Sequence, residues 1–217
     1  SSGARLYAAG NFASTSPGIN NISRWTGAAW IGMSAGGSSG QVIRALAAID
    51  TGSGPRLYVG GSFDGAGPFR ISALCTWTGS AWAPLGNGTD GGVTVLLAAD
   101  EGAEHVLYAG GQFTGVAQIP AAGIARWNGA QWTALGSGIA RAAGDPWVMT
   151  LARFDDGSGP ALYVGGFFSR AGEVEALNMA RWDGQAWSAV GGGITQPPGG
   201  PTPGRLGRPG SARGDGP

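Results

Sequence analysis

Lysine is absent from the 217 residues, cysteine and histidine occur once each, and charged side chains make up only 12%. Each scarcity excludes something. The lone Cys75 leaves no intramolecular disulfide, so the fold must stand on packing alone. The lone His105 stands at the acidic, near-constant turn Asp100-Glu101-Gly102-Ala103-Glu104, which excludes a multi-histidine metal site and disfavours a catalytic triad. No metal and no cofactor is expected. Thirteen arginines balance 13 acidic residues, so nothing offers a basic footprint to nucleic acid or an anionic membrane. No apolar run is long enough to span a bilayer, so membrane insertion is not expected either. With few charges and 44 glycines, long amphipathic helices are disfavoured and short strands joined by tight turns are favoured.

What is present is a repeat. Leu-Tyr pairs stand at Leu6-Tyr7, Leu57-Tyr58, Leu107-Tyr108 and Leu162-Tyr163, and they use all four tyrosines. The interval is about 50 residues, which falls among the propeller and array periods. Gly-x-Phe follows each pair, at Gly10 and Phe12, Gly61 and Phe63, Gly111 and Phe113, and Gly166 and Phe168. Further on comes W-x-G-x-x-W, with Trp25 and Trp30, Trp77 and Trp82, Trp127 and Trp132, and Trp182 and Trp187. Between these cassettes lie apolar stretches ending in Asp50, Asp100 and Asp155. The pattern predicts four short strands per repeat.

Thr26-Gly27, Thr78-Gly79, Asn128-Gly129 and Asp183-Gly184 follow the first tryptophan of each pair, and Asn-Gly and Asp-Gly are strong two-residue hairpin signals. That reading sets Trp127 opposite Ala130, with Trp132 further along the same face, so both rings share one side. Each ring buries roughly 150 to 250 Å², enough for the eight to dominate a disulfide-free core. Trp25, Trp30, Trp77, Trp82, Trp127, Trp132, Trp182 and Trp187, with Tyr7, Tyr58, Tyr108 and Tyr163, are therefore read as structural core. Cys75 occupies the position of Ser23, Ala125 and Ala180, all small, and reads as a buried filler.

Four antiparallel strands repeated at this period match a β-propeller blade. The order LYVGG, IARW, turn, W-x-x-L resembles the kelch motif, as in the central domain of galactose oxidase. It is more similar still to bacterial secreted or surface proteins with LYVGG, IARWDG and Trp repeats. The resemblance covers residues 1–194 and implies an all-β propeller placed outside the cell or in its envelope. On kelch strand order, the stretch ending in Asp is innermost and the strand starting at the second tryptophan outermost. Complete blades then occupy about 42–86, 93–136 and 147–191, with a partial first blade at about 5–34. Missing upstream blades or another chain would complete the ring. Residues 195–217, rich in Pro and Gly, read as a disordered tail, and its Arg213-Gly214-Asp215 as a chance tripeptide.

The connections divide into two sets. Turns 50–55, 100–104 and 155–160 are short and near-constant, and strand direction puts them at the same end as the Trp-pair turns. Loops 13–21, 64–73, 114–123 and 169–178 share the opposite, variable end with links 32–41, 86–92 and 136–146. Loops on a rigid scaffold carry binding residues, so Arg70, Asp90, Arg141, Asp145, Trp147, Glu173 and Glu175 are the candidates, each also readable as an ordinary solvated residue. The Asp50-x-Gly52-x-Gly54 and Asp155-x-Gly157-x-Gly159 turns lack the further carboxylates a calcium loop needs. Glu173 and Glu175 are the nearest pair of acids, in one loop, which does not suit a glycosidase. No catalytic residue is assigned. The expected function is a non-catalytic binding or scaffold module for a protein or glycan. The alternatives are a hydrolase or lyase with a pocket at the variable end, and a structural array assembling by edge-strand pairing.

Overall fold

A computed structural model describes residues 5–13, 20–33, 42–65 and 72–195, all of it strand, turn and loop. Arg70, residues 196–217 and the Arg213-Gly214-Asp215 tripeptide lie outside the described residues. The first sheet is a three-stranded antiparallel meander of β1 (Tyr7–Ala13), β2 (Asn20–Trp25) and β3 (Trp30–Gly32). The second has four strands in chain order, β4 (Val42–Ile49), β5 (Arg56–Ser62), β6 (Leu74–Trp77) and β7 (Trp82–Pro84). In the third, β8 (Gly92–Glu101) and β9 (Glu104–Gln112) are followed by a ribbon, β10 (Gly115–Val116) with β11 (Ile119–Pro120). The same sheet is completed by β12 (Ile124–Trp127) and β13 (Trp132–Ala134).

After β14 (Ile139–Ala140), the fourth sheet starts with β15 (Trp147–Asp155) and β16 (Pro160–Phe167). A second ribbon, β17 (Arg170–Ala171) with β18 (Val174–Glu175), precedes β19 (Met179–Trp182) and β20 (Trp187–Ala189). The protein is thus all-β, built from small antiparallel sheets.

Neighbouring sheets share their cores. Leu57, Val59, Cys75 and Trp82 of the second sheet pack with Ile22, Tyr7 and Ala9 of the first. Leu162, Val164, Ala180 and Trp187 of the fourth pack with Val106, Tyr108 and Ile124 of the third. A strand covered on both faces cannot keep the in-out alternation of a half-exposed one, and in β9 every residue from Val106 to Gly111 is buried.

Glycine makes the approach possible. The register slips once in the first hairpin of the second, third and fourth sheets, between Ile43 and Ala45, Val93 and Val95, and Val148 and Thr150, always opposite the Gly-Gly pair. A Cβ on Gly61, Gly111 or Gly166 would stand 2.2, 2.1 or 2.0 Å from a carbonyl oxygen of the preceding, paired strand. A Cβ on Gly60 or Gly110 would strike Val93 or Val148 of the following sheet, at 2.6 and 2.5 Å.

The Trp hairpins differ from expectation by one residue. Trp127 pairs directly with Trp132, as do the other three couples, and the ring centroids lie 5.1 to 5.4 Å apart. Asn128 N donates to Gln131 O at 3.3 Å, so the central residues are Gly129, at φ 97°, and Ala130. The cause is the side chain before the glycine. Asn128 Oδ1 accepts Gln131 N at 2.9 Å, Asp183 Oδ1 accepts Ala186 N at 2.8 Å, and the Thr26 and Thr78 hydroxyls accept Ala29 N and Ala81 N.

Trp82, Trp132 and Trp187 are buried, and Trp25, Trp77, Trp127 and Trp182 partly so. Trp30 departs from the core reading: it is 40% exposed, because its face of the first sheet is turned away from the second. Tyr58 and Tyr108 are buried, whereas Tyr7 and Tyr163 are intermediate.

Candidate functional site

Two ends of the stack differ in chemistry, and the strand connections decide why. At the end with short turns, Asp50 Oδ1 accepts Gly52 N and Gly54 N at 2.8 and 3.0 Å, and Asp155 Oδ1 accepts Gly157 N and Gly159 N at 2.9 and 3.1 Å. These carboxylates cap their own turns. Gly129 belongs to the same surface, since a Cβ there would meet Thr51 O of the second sheet at 2.1 Å.

A polar motif repeats behind these turns. Seven residues before the tyrosine stands a group that bonds its hydroxyl: Thr51 to Tyr58 at 2.9 Å, Glu101 to Tyr108, and Asp156 to Tyr163 at 2.6 Å. Across the ladder from each tyrosine lies Thr76, Arg126 or Arg181. In the third sheet the motif becomes a network. Arg126 Nε donates to Glu101 Oε2 at 2.9 Å, its Nη2 donates to Glu104 Oε2 at 2.5 Å, and Arg153 Nη1 reaches Glu101 Oε1 at 2.9 Å from β15 of the next sheet. Burial, then the hydrogen bond to Glu101, pushes the Tyr108 hydroxyl up. The reading of single residues missed this network. The seven-residue spacing before each tyrosine was the available signal.

At the opposite end the segments expected to be plain loops pair between repeats. The link after β7 bridges the ribbon of the third sheet, Thr89 to Val116, and Ala117 N donates to Gly88 O at 2.8 Å. One repeat later β14 pairs with β17, and Gly172 N donates to Gly138 O at 2.8 Å. Asp90 serves this interlock: Oδ1 accepts Thr114 N and Gly115 N at 2.8 and 2.9 Å, and Oδ2 accepts the Thr114 hydroxyl at 2.5 Å. Slight burial works against the charge, yet those bonds outweigh it and hold the Asp90 carboxyl below the usual carboxylate range. Its acceptors are therefore committed to the chain.

Trp147, expected among the binding loops, begins β15 instead. Its Nε1 donates to Thr94 Oγ1 of the third sheet at 2.7 Å and its ring lies 6.1 Å from Phe167, so it joins sheets. Arg141 and Asp145 are exposed in the link before it. Arg170 faces Glu175 across β17 and β18, and its Nη2 donates to Glu173 O at 2.9 Å. Arg170 and Glu175, with Ser169, Leu177, Gly191 and Gly193, line a depression of about 550 Å³ on the fourth sheet. The structure thus gathers Glu173 and Glu175 around Arg170, a residue not foreseen, and withdraws Asp90 and Trp147 into scaffolding.

This end offers exposed donors and acceptors to a polar ligand. Among the described residues no group of three or more His, Cys, Asp and Glu side chains could hold a metal ion. Cys75 is fully buried, and desolvation pushes its thiol up to about 12. His105 Nδ1 lies 2.5 Å from Asp100 Oδ1 at an exposed hairpin tip of the other end. No family model, curated protein or solved structure matches the chain.

Proposed function

We propose that the four sheets are successive blades of a kelch-like β-propeller and that the protein is a non-catalytic module holding a protein or glycan at its interlocked, variable end. One observation carries the reading. The two ends are built from the same repeat, yet at one Asp50 and Asp155 cap their own short turns and Glu101 is held by Arg126 and Arg153, while the other leaves Arg141, Asp145, Arg170, Glu173 and Glu175 exposed on segments tied by the pairing of β14 with β17. Exposed charge on loops fixed by a scaffold is the usual make-up of a recognition surface. Location outside the cell or in its envelope belongs to the same proposal, and its support is the resemblance of the LYVGG and IARWDG repeats to bacterial secreted or surface proteins alone.

The test is a glycan array and a protein pull-down with the wild-type chain beside the triple variant Arg141→Ala, Asp145→Ala, Arg170→Ala. Binding by the wild type that falls at least about tenfold in the variant, a difference of about 1.4 kcal/mol, is expected. Equal binding by both, or none by either, removes the assignment.

A further inference from the structure

One joint recurs at two of the three contacts between successive sheets, and the outermost faces hold its unmatched halves; at the remaining contact Trp132 packs against the second sheet but its Nε1 has no hydrogen-bond partner. Trp82 Nε1 of the second sheet donates to Met33 O of the first at 2.7 Å, and Trp187 Nε1 of the fourth to Leu135 O of the third at 2.8 Å. The acceptor sits just beyond the outer strand, and Leu135 O takes Gly138 N at 3.0 Å with its second lone pair. Gly136 follows Leu135 at φ 57°, in the left-handed region, and the Trp187 ring packs against it.

On the fourth sheet the acceptor side recurs without its donor. Val190 O takes Gly193 N at 3.1 Å, and a Cβ on Gly191 or Gly192 would meet nothing within 4 Å. On the first sheet the donor side recurs without its acceptor, as the 40% exposed Trp30. Among the described residues, all eight exposed large hydrophobic side chains belong to these two terminal sheets. Leu6, Phe12, Trp30 and Ile31 are on the first, and Met149, Phe154, Leu177 and Ile194 are on the fourth or its exit. The described residues of the second and third sheets carry none.

We infer that the first sheet of one copy docks on the fourth sheet of a second copy, head to tail, with Trp30 over Gly191 and its indole N–H bonded to Val190 O. A second copy is the fitting occupant because the interface continues one already made within the chain between its own successive sheets. It uses faces rather than strand edges, and at Leu177 and Gly191 it covers one side of the depression lined by Arg170 and Glu175. The contact is heterologous, so each copy keeps one free half after joining.

Sedimentation equilibrium from about 1 µM to about 1 mM tests it. The wild type should gain mass with concentration. Trp30→Arg, which blocks the head, and the double variant Leu177→Arg, Ile194→Arg, which blocks the tail, should each stay monomeric while keeping wild-type near-UV circular dichroism. Their equimolar mixture should form dimers and stop there. A monomeric wild type across the range, self-association of either blocked variant, or a monomeric mixture would overturn the inference. A variant that loses the near-UV signal leaves a readout on the wild type itself: the Trp30 indole N–H should exchange more slowly with rising concentration, and unchanged exchange would count against the joint.

Discussion

Replacing Gly111 with alanine should be among the costliest single changes in the protein. The added Cβ would stand 2.1 Å from Gly92 O and 2.9 Å from the Val93 Cα, and both obstacles are backbone. Relief requires β8 and β9 to part by roughly 1 Å, but β9 is buried on both faces between sheets. Overpacking costs about 1 to 3 kcal/mol, and opening two ladder bonds adds about 1 kcal/mol each, so the total is about 4 kcal/mol. Urea unfolding followed by tryptophan fluorescence would show it: with a slope of about 2 kcal/mol/M, the midpoint should fall by about 2 M. Gly92→Ala is the matched control, because its Cβ would crowd only the movable Ser62 Oγ at 3.0 Å and reach Gly61 O at an ordinary 3.6 Å, and it should change stability by less than about 1 kcal/mol. A Gly111→Ala protein within about 1 kcal/mol of wild type would refute the idea that Gly-Gly is there to let the bulged strand close.

Arg153→Met should cost about 1 to 2 kcal/mol in the same assay, since Glu101 is largely buried and loses one of its two arginine partners while Arg126 remains. Acid should destabilise the fold through Asp156. The Ser158 and Tyr163 hydroxyls bonded to its carboxylate hold its folded value well below the usual range. Because the folded value is the lower one, the contribution is present above the unfolded value near 4 and is lost as pH falls through the folded value. Melting temperature should therefore stay flat down to about pH 5 and drop below about pH 4, with Asp156→Asn flattening that acid limb. An acid limb as steep in the variant as in wild type would assign the pH dependence elsewhere.

The strands were legible because aromatic and glycine cassettes mark each one: Leu57 to Gly61, Leu74 to Trp77 and Trp82 to Pro84 are strand residues in the second sheet and at matching positions in the others. What escaped was anything requiring a neighbour. The two ribbons read as plain loops, since residues 115–120 and 170–175 gain order partly from the preceding repeat's link. The bulge opposite Gly-Gly has no local signature beyond the glycines. The Trp turn was misplaced by one residue because Asn128 spends its side chain on Gln131 N, which a dipeptide rule does not weigh. At the candidate site, Asp90 and Trp147 looked available by composition, and only Thr114 and Thr94, which lie 24 and 53 residues away in sequence, reveal their scaffolding role.

The central claim is that the sheets join face to face through the buried second tryptophans Trp82, Trp132 and Trp187, the first and last of them by an indole hydrogen bond. Indole N–H exchange measured by NMR on 15N-labelled protein, dilute enough to be monomeric, tests it most directly. The Trp82 and Trp187 protons, bonded to Met33 O and Leu135 O, should be strongly protected, and the Trp30 proton should exchange freely. Fast exchange at Trp82 and Trp187, or protection at Trp30 equal to theirs, would contradict it.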